Sequence, residues 1–224
     1  MRAELEVKVC GLTRPCDIAL LAELGADYYG FILYPKSPRY LNADLLAHCL
    51  QFAPCGHRVA VDVNPSNDTL RAHVEAGFDF FQLHTAIDVS QQQLEQWAHI
   101  VGGPDRLWLA PILPPDRELP HSFVQLGARI LLDTYQKNQV GGTGKTNDWG
   151  RFRRLQQRYS QVEWILAGGL KPENLSAAIQ QAGARHVDVN SGVESAPGIK
   201  DPALLRDLFQ RVAEVRADLV DEAS

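Results

Sequence analysis

The sequence predicts an α/β fold, a closed (β/α)8 TIM barrel, on three observations. Short β-rich runs alternate with amphipathic helical runs, and eight such pairs fill the 224 residues. The joints from helix to strand recur: Gly25-Ala26-Asp27, Gly77-Phe78-Asp79, Gly127-Ala128-Arg129 and Gly183-Ala184-Arg185 each stop a helix at glycine and feed a β-run. Connections this short imply parallel strands with right-handed crossovers. Eight units in this length fit a single barrel domain over residues 1–224. An open doubly wound sheet would carry a glycine-rich fingerprint after its first strand, and Cys10-Gly11-Leu12-Thr13 is not one.

The predicted strands are residues 5–10, 28–33, 58–64, 80–84, 107–112, 128–133, 164–167 and 186–189, each rich in Val, Ile, Leu or aromatics. The first helix opens near Thr13 or Arg14 with Pro15 in its first turn, runs over 18–24 and closes at Gly25. Asn42 caps a second helix that runs through Phe52. Ser66 or Asn67 caps 68–76, which Gly77 ends, and Ser90 caps 91–101, which Gly102-Gly103 ends. A short helix over 119–126 closes at Gly127. Asn147 or Asp148 starts a helix through Tyr159, Pro172 sits in the first turn of 173–181, and Pro202 begins the last helix, through about Ala217.

The net charge of −5 comes from 22 Lys+Arg and 27 Asp+Glu spread along the chain, so there is no basic stripe for a phosphate backbone, and nucleic acid is excluded as a partner. No apolar run approaches the roughly 18 residues of a membrane span. Cys10, Cys16, Cys49 and Cys55 lie in the first quarter, and the opening MRAELEVKVC lacks an apolar signal core. Both features predict a cytoplasmic protein with reduced thiols. His48, Cys49, Cys55 and His57 have metal-ligating side chains, but the five residues between the cysteines and the helical setting of Cys49 do not suit zinc, and no metal is expected.

In a barrel the site forms at the carboxyl ends of the strands. Found there are Cys10, Arg39, Asn64, His84 and Asp133, with glycine-rich loops after strands six, seven and eight. Cys10 by itself is either a buried structural thiol or a group that Gly11 turns into a site. The loops read as phosphate cradles, because glycine lets backbone N–H groups approach an anion: Gly142, Thr143 and Gly144 in the first, Gly168 and Gly169 in the second, Ser191 and Gly192 in the third. Gly144-Lys145-Thr146 mimics the end of a nucleotide-binding loop, but that motif needs a glycine where Gln139 stands. Period-two alternation puts Lys8 on the face of Cys10, Asp62 with Asn64, Gln82 with His84, and Asp188 with Asn190. If these faces point inward, a buried Lys8 needs a partner, and Asp188 or Asp62 is predicted to supply it.

Eight segments in order carry a resemblance that covers nearly the whole chain: Lys8-Val9-Cys10-Gly11-Leu12-Thr13; Gly30-Phe31 with Ser37-Pro38-Arg39; Val63-Asn64; Gln82-Leu83-His84; Leu131-Leu132-Asp133; Gly141-Gly142-Thr143-Gly144-Lys145 with Trp149; Ala167-Gly168-Gly169-Leu170 with Asn174; and the run 188–194 with Pro197-Gly198 and Lys200-Asp201. By these segments the chain resembles the phosphoribosylanthranilate isomerases, cofactor-free barrel enzymes of tryptophan biosynthesis. The resemblance implies an isomerase acting on a small phosphosugar, with no cofactor and no metal, as a monomer or homodimer. It implies Cys10 as general base, Asp133 as general acid, Arg39 as partner of the anthranilate carboxylate, and the glycine loops around the phosphate. Asn64 and His84 complete the substrate-binding set, His84 as a wall or hydrogen-bonding group. For acid–base work near neutrality, positive charge is expected to lower the Cys10 pKa and burial to raise that of Asp133. Two positions depart from the family pattern, Thr85 where glycine is usual and Asn190 where serine is common. The alternatives are another phosphosugar aminoaldose isomerase, whose acid–base pair would be two aspartates, and a catalytically silent phosphate-ligand barrel, which would have lost Cys10, Asp133 or the loops.

Overall fold

Eight parallel strands close on themselves in chain order: β1 (Glu6–Val9), β2 (Tyr28–Ile32), β3 (Arg58–Val63), β4 (Phe80–Ala86), β5 (Leu107–Ile112), β6 (Arg129–Leu132), β7 (Glu163–Ala167) and β8 (His186–Val189). The structure, a computed structural model, describes residues 5–133 and 148–221. β1 makes the closure, pairing with β8 from Glu6 opposite His186 to Val9 opposite Val189. Helices α1 (Pro15–Leu24), α2 (Ala43–Leu50), α3 (Asn67–Glu75), α4 (Gln91–Val101), α5 (His121–Leu126), α6 (Trp149–Arg158), α7 (Pro172–Ala182) and α8 (Pro202–Asp221) alternate with the strands. The predicted TIM barrel is therefore the observed architecture.

The helix starts follow their capping chemistry. The side chains of Asn42, Ser66, Ser90 and Asp148 each accept a hydrogen bond from the backbone N–H three residues on. Lengths differ at the far ends: α2 stops at Leu50 instead of Phe52, and α8 continues to Asp221. Absent from the sequence reading, besides single 3-10 turns at Pro104–Arg106 and Ser191–Val193, is an antiparallel hairpin of β9 (Glu194–Ala196) and β10 (Ile199–Lys200) between β8 and α8. Its turn is Pro197-Gly198, with Gly198 at φ 79°, where glycine is favoured.

Strand alternation sorts the side chains into two apolar regions. Leu, Val and Phe on the outer faces pack against the helices in the main core. A second cluster, with Tyr28, Val59, Val61, Trp108, Leu131 and Ile165, fills the barrel interior. On β3 this corrects the expected phase: Val59 and Val61 face inward, so Asp62 faces outward. Its Oδ2 lies 2.8 Å from His73 Nε2 on α3, and its Oδ1 accepts from Val63 N at 2.7 Å. The interior selects the valines, and Asn64 shares the outward parity of Asp62.

At the amino-terminal end of the strands, the Arg129 guanidinium lies over the rings of Tyr28, Trp108 and Phe80 at 5.1, 4.9 and 5.7 Å. It also donates to Glu163 Oε2 at 2.8 Å, and Tyr28 stacks on His186. This layer plugs the floor beneath the cavity. Arg216 of α8 donates to the Leu5 carbonyl at 3.0 and 2.8 Å and to Asp27 Oδ2 at 2.8 Å, fastening the last helix to the first strand. At the other end of the barrel the start of α1 clamps the hairpin. The Thr13 hydroxyl donates to the Gly198 carbonyl, Arg14 Nη2 donates to the Lys200 carbonyl at 2.7 Å, and Lys200 N donates to Asp17 Oδ2 at 3.2 Å.

Candidate active site

The carboxyl ends of the strands surround a cavity of about 510 Å³ whose lining includes Cys10, Arg39, His84, Asp133, Gly168, Gly169 and Ser191. Cys10 follows β1 and Asp133 follows β6, three strands away around the closed sheet. Cys10 has room because of Gly30 on the neighbouring β2. A Cβ there would lie 2.9 Å from Cys10 Sγ, 3.0 Å from Cys10 Cα and 3.0 Å from Lys8 Cε.

Lys8 faces the interior, fully buried, with Nζ 2.9 Å from Asp188 Oδ1, which bears out one of the two predicted pairings. The two groups meet as an ion pair, without a directed hydrogen bond at either atom among the described residues. Burial works against this ammonium, but its interactions with Asp188 and Cys10 together outweigh it, and its pKa lies above the ordinary lysine value. For Cys10 the balance runs against the expectation: burial pushes the thiol pKa up, and Lys8 and Lys200 recover only part of the rise. The positive charge is present as predicted. What the sequence could not weigh was the desolvation of a thiol left almost wholly buried in the cavity wall.

Burial, with help from Lys8, pushes His84 down to about 4, so its imidazole is neutral near pH 7. Gln82 Nε2 lies 3.0 Å from His84 Nε2; with the amide as donor, the imidazole proton sits on Nδ1. Asn64 stands apart from this group: it is exposed, lines no part of the cavity, and holds a left-handed φ of 45°. Gly168 and Gly169 are also left-handed, at φ 95° and 64°. Gly192 lets the loop after β8 touch the loop after β7, since a Cβ there would fall 1.9 Å from the Leu170 carbonyl oxygen. Gly142, Thr143 and Gly144 lie outside the described residues.

Arg39 is gripped by a residue the sequence reading gave no role. Its Nε and Nη2 donate to the Glu194 carboxylate, at 3.0 Å to Oε1 and 2.7 Å to Oε2. Glu194 Oε1 also accepts from Lys200 Nζ at 2.9 Å and from Gly198 N at 3.2 Å. Lys200, itself buried, donates to Asn190 Oδ1 at 3.0 Å, which gives the unusual asparagine a structural task. Thr85, the other departure, is buried and lines no part of the cavity. An acid and a lysine flanking a Pro-Gly turn just after Ser191-Gly192 were the available signal for this network.

Among the described residues, one group combines metal-ligating side chains closely enough to hold an ion: Glu6, Glu163 and His186, at the floor of the barrel and away from this cavity. Arg129 already pairs with both of its carboxylates, Glu163 at 2.8 Å and Glu6 at 3.6 Å, and His48, Cys49, Cys55 and His57 do not form such a group. All four cysteines are free, and among the described residues no helix is long and apolar enough to cross a membrane.

The profile of the family described as N-(5′phosphoribosyl)anthranilate (PRA) isomerase matches residues 7–211. The chain belongs to this isomerase family. A curated relative from Cereibacter sphaeroides, an N-(5′-phosphoribosyl)anthranilate isomerase, is 38% identical over 215 residues, covering 93% of this chain and 98% of its own. The solved structure of the Thermotoga maritima phosphoribosyl anthranilate isomerase superposes with a TM-score of 0.77 at 30% identity, covering 94% and 99% of the two chains. Another solved isomerase of the family, in complex with reduced 1-(o-carboxyphenylamino)-1-deoxyribulose 5-phosphate, gives a TM-score of 0.71 at 27% identity, with 94% and 99% covered. Membership makes this chain an isomerase of tryptophan biosynthesis and fits a cavity ringed by a thiol, a carboxyl group, an arginine and glycine-rich loops.

Proposed function

We propose that residues 1–224 act as one catalytic domain that converts N-(5-phosphoribosyl)anthranilate into 1-(2-carboxyphenylamino)-1-deoxyribulose 5-phosphate, with Cys10 as base and Asp133 as acid. The observation that carries the reading is the presence of both groups in one cavity with Arg39 and two of the glycine loops. Asp133 protonates the ribose ring oxygen. The ring opens as the lone pair of the substrate's own nitrogen forms a C1 iminium. Cys10 then takes the C2 proton, leaving an enolamine that tautomerises to the C2 ketone. The proton given by the acid balances the one taken by the base, so substrate and product are isomers and the substrate nitrogen serves as the electron sink.

The raised pKa of Cys10 fits this order of events: the thiol stays protonated in the free protein, and the positive iminium arrives beside it just when a base is needed. Arg39 holds the anthranilate carboxylate as a charge-assisted pair. His84, neutral, serves as a hydrogen-bonding wall. Gly168, Gly169, Ser191 and Gly192, with Gly142, Thr143 and Gly144, take the phosphate through backbone N–H groups. The chain works in the cytoplasm as a monomer or homodimer, with no nucleic-acid partner.

The test follows the decay of substrate fluorescence with wild type, Cys10→Ser and Asp133→Asn. Both variants should lose turnover by about a hundredfold or more. Full activity in either one would remove that residue from its role.

A further inference from the structure

A charged cluster lies behind Arg39 at the wall of the cavity. Glu194 and Lys200 come from the hairpin after β8, Arg39 from the loop after β2, and all three converge at one side of the cavity. The Glu194 carboxylate takes the Nε/Nη2 edge of the guanidinium in a side-on, bidentate grip. No other protein group among the described residues bonds the Arg39 side chain, so Nη1 and the outer N–H of Nη2 stay available at its end. These two donors form a second fork of the same planar group.

The charges explain why the acid does not defeat the site. Arg39 paired with Glu194 alone would be neutral, and the carboxylate of Glu194 would repel a second one. Lys200, buried and bonded to the same Glu194 oxygen, brings the trio to a net charge of +1. Asn190 anchors that ammonium through Oδ1 and its carbonyl, and Thr13, Arg14 and Asp17 hold the hairpin in place from α1.

We propose that Glu194, held by Lys200, is a positioning residue that fixes the plane of Arg39 so that its free end forms the carboxylate fork of the site. An arginine on a loop samples many rotamers, and a fork held on its far edge meets its ligand already oriented. This inference rests on the reading of Arg39 as carboxylate partner.

Two ligands separate the claims: the reduced product, and the same compound with phenyl in place of carboxyphenyl. Calorimetric titration gives the affinity of each for wild type, Arg39→Ala, Glu194→Asp and Glu194→Gln. Wild type should prefer the carboxylated ligand, and Arg39→Ala should erase the preference. Glu194→Asp keeps the charge but draws it back by one methylene, which should cut the preference about tenfold and leave the phenyl compound unaffected. Glu194→Gln, isosteric but lacking the charged double grip, makes the same test if the shorter side chain does not fold. An unchanged preference in a folded Glu194 variant overturns the positioning role, as does equal weakening toward both ligands. A wild-type preference in Arg39→Ala overturns the underlying reading of Arg39 instead.

Discussion

Adding one methyl group to Gly30 tests the packing that gives Cys10 its place. The backbone there is outside the left-handed region, so the argument is one of space alone. The new Cβ would sit 2.9 Å from Cys10 Sγ and 3.0 Å from both Cys10 Cα and Lys8 Cε, where ordinary contacts are about 3.5–4.0 Å. Something must move by roughly 0.5–1 Å. Cys10 Cα belongs to the backbone leaving β1, and Lys8 is held by Asp188, so the thiol gives way first. Overpacking of this kind costs about 1–3 kcal/mol. For a chain of this size that lowers Tm by about 2–12 °C. A reacting group displaced by up to about 1 Å loses about tenfold to a hundredfold in rate, so Gly30→Ala should lower kcat by that factor with a much smaller change in KM. Calorimetric melting and the fluorescence assay read the two effects on one preparation. Wild-type kcat at an unchanged Tm would refute the reasoning.

Two more predictions concern groups on either side of that packing. The His84 pKa, pushed down to about 4, lies below the ordinary 6.5, so between these values the unfolded chain binds the extra proton; the stability His84 contributes is full above about pH 6.5 and is lost as pH falls toward 4. Urea unfolding at pH 7 and 4.5 should show a smaller acid loss in His84→Gln than in wild type, and equal losses would count against a buried neutral imidazole. Asn64, left-handed and outside the cavity, should accept Asn64→Gly with KM within about twofold, whereas Asn64→Val should cost about 1–2 kcal/mol of stability. A tenfold rise in KM for the glycine variant would return Asn64 to substrate binding.

The repeating unit was legible because its signals are local. The Asn42, Ser66, Ser90 and Asp148 caps and the glycine stops act within one turn, and eight β/α units in order leave few architectures. Alternation puts Lys8 with Cys10, Gln82 with His84 and Asp188 with Asn190, and with those faces taken as inward the Lys8–Asp188 pairing could be expected from the cost of an unpaired buried charge. The phase of β3 could not. Alternation tells which residues share a face, but the stagger of neighbouring strands decides which face is inside, and there it chose Val59 and Val61 over Asp62. The hairpin escaped because β9 and β10 are three and two residues long, too short for any period to register. With it went the partner of Arg39, although Pro197-Gly198 was in plain view. The rise in the Cys10 pKa depends on how completely the thiol is enclosed, which only the assembled barrel reveals.

The bond from Arg216 to the Leu5 carbonyl bears on how this barrel can be handled. It brings the first strand and the last helix together at the floor, beneath the Arg129 plug and on the far side from the mouth. An enzyme tethered to a bead or a carrier protein through either of these segments would hang by its base with its opening toward the solvent.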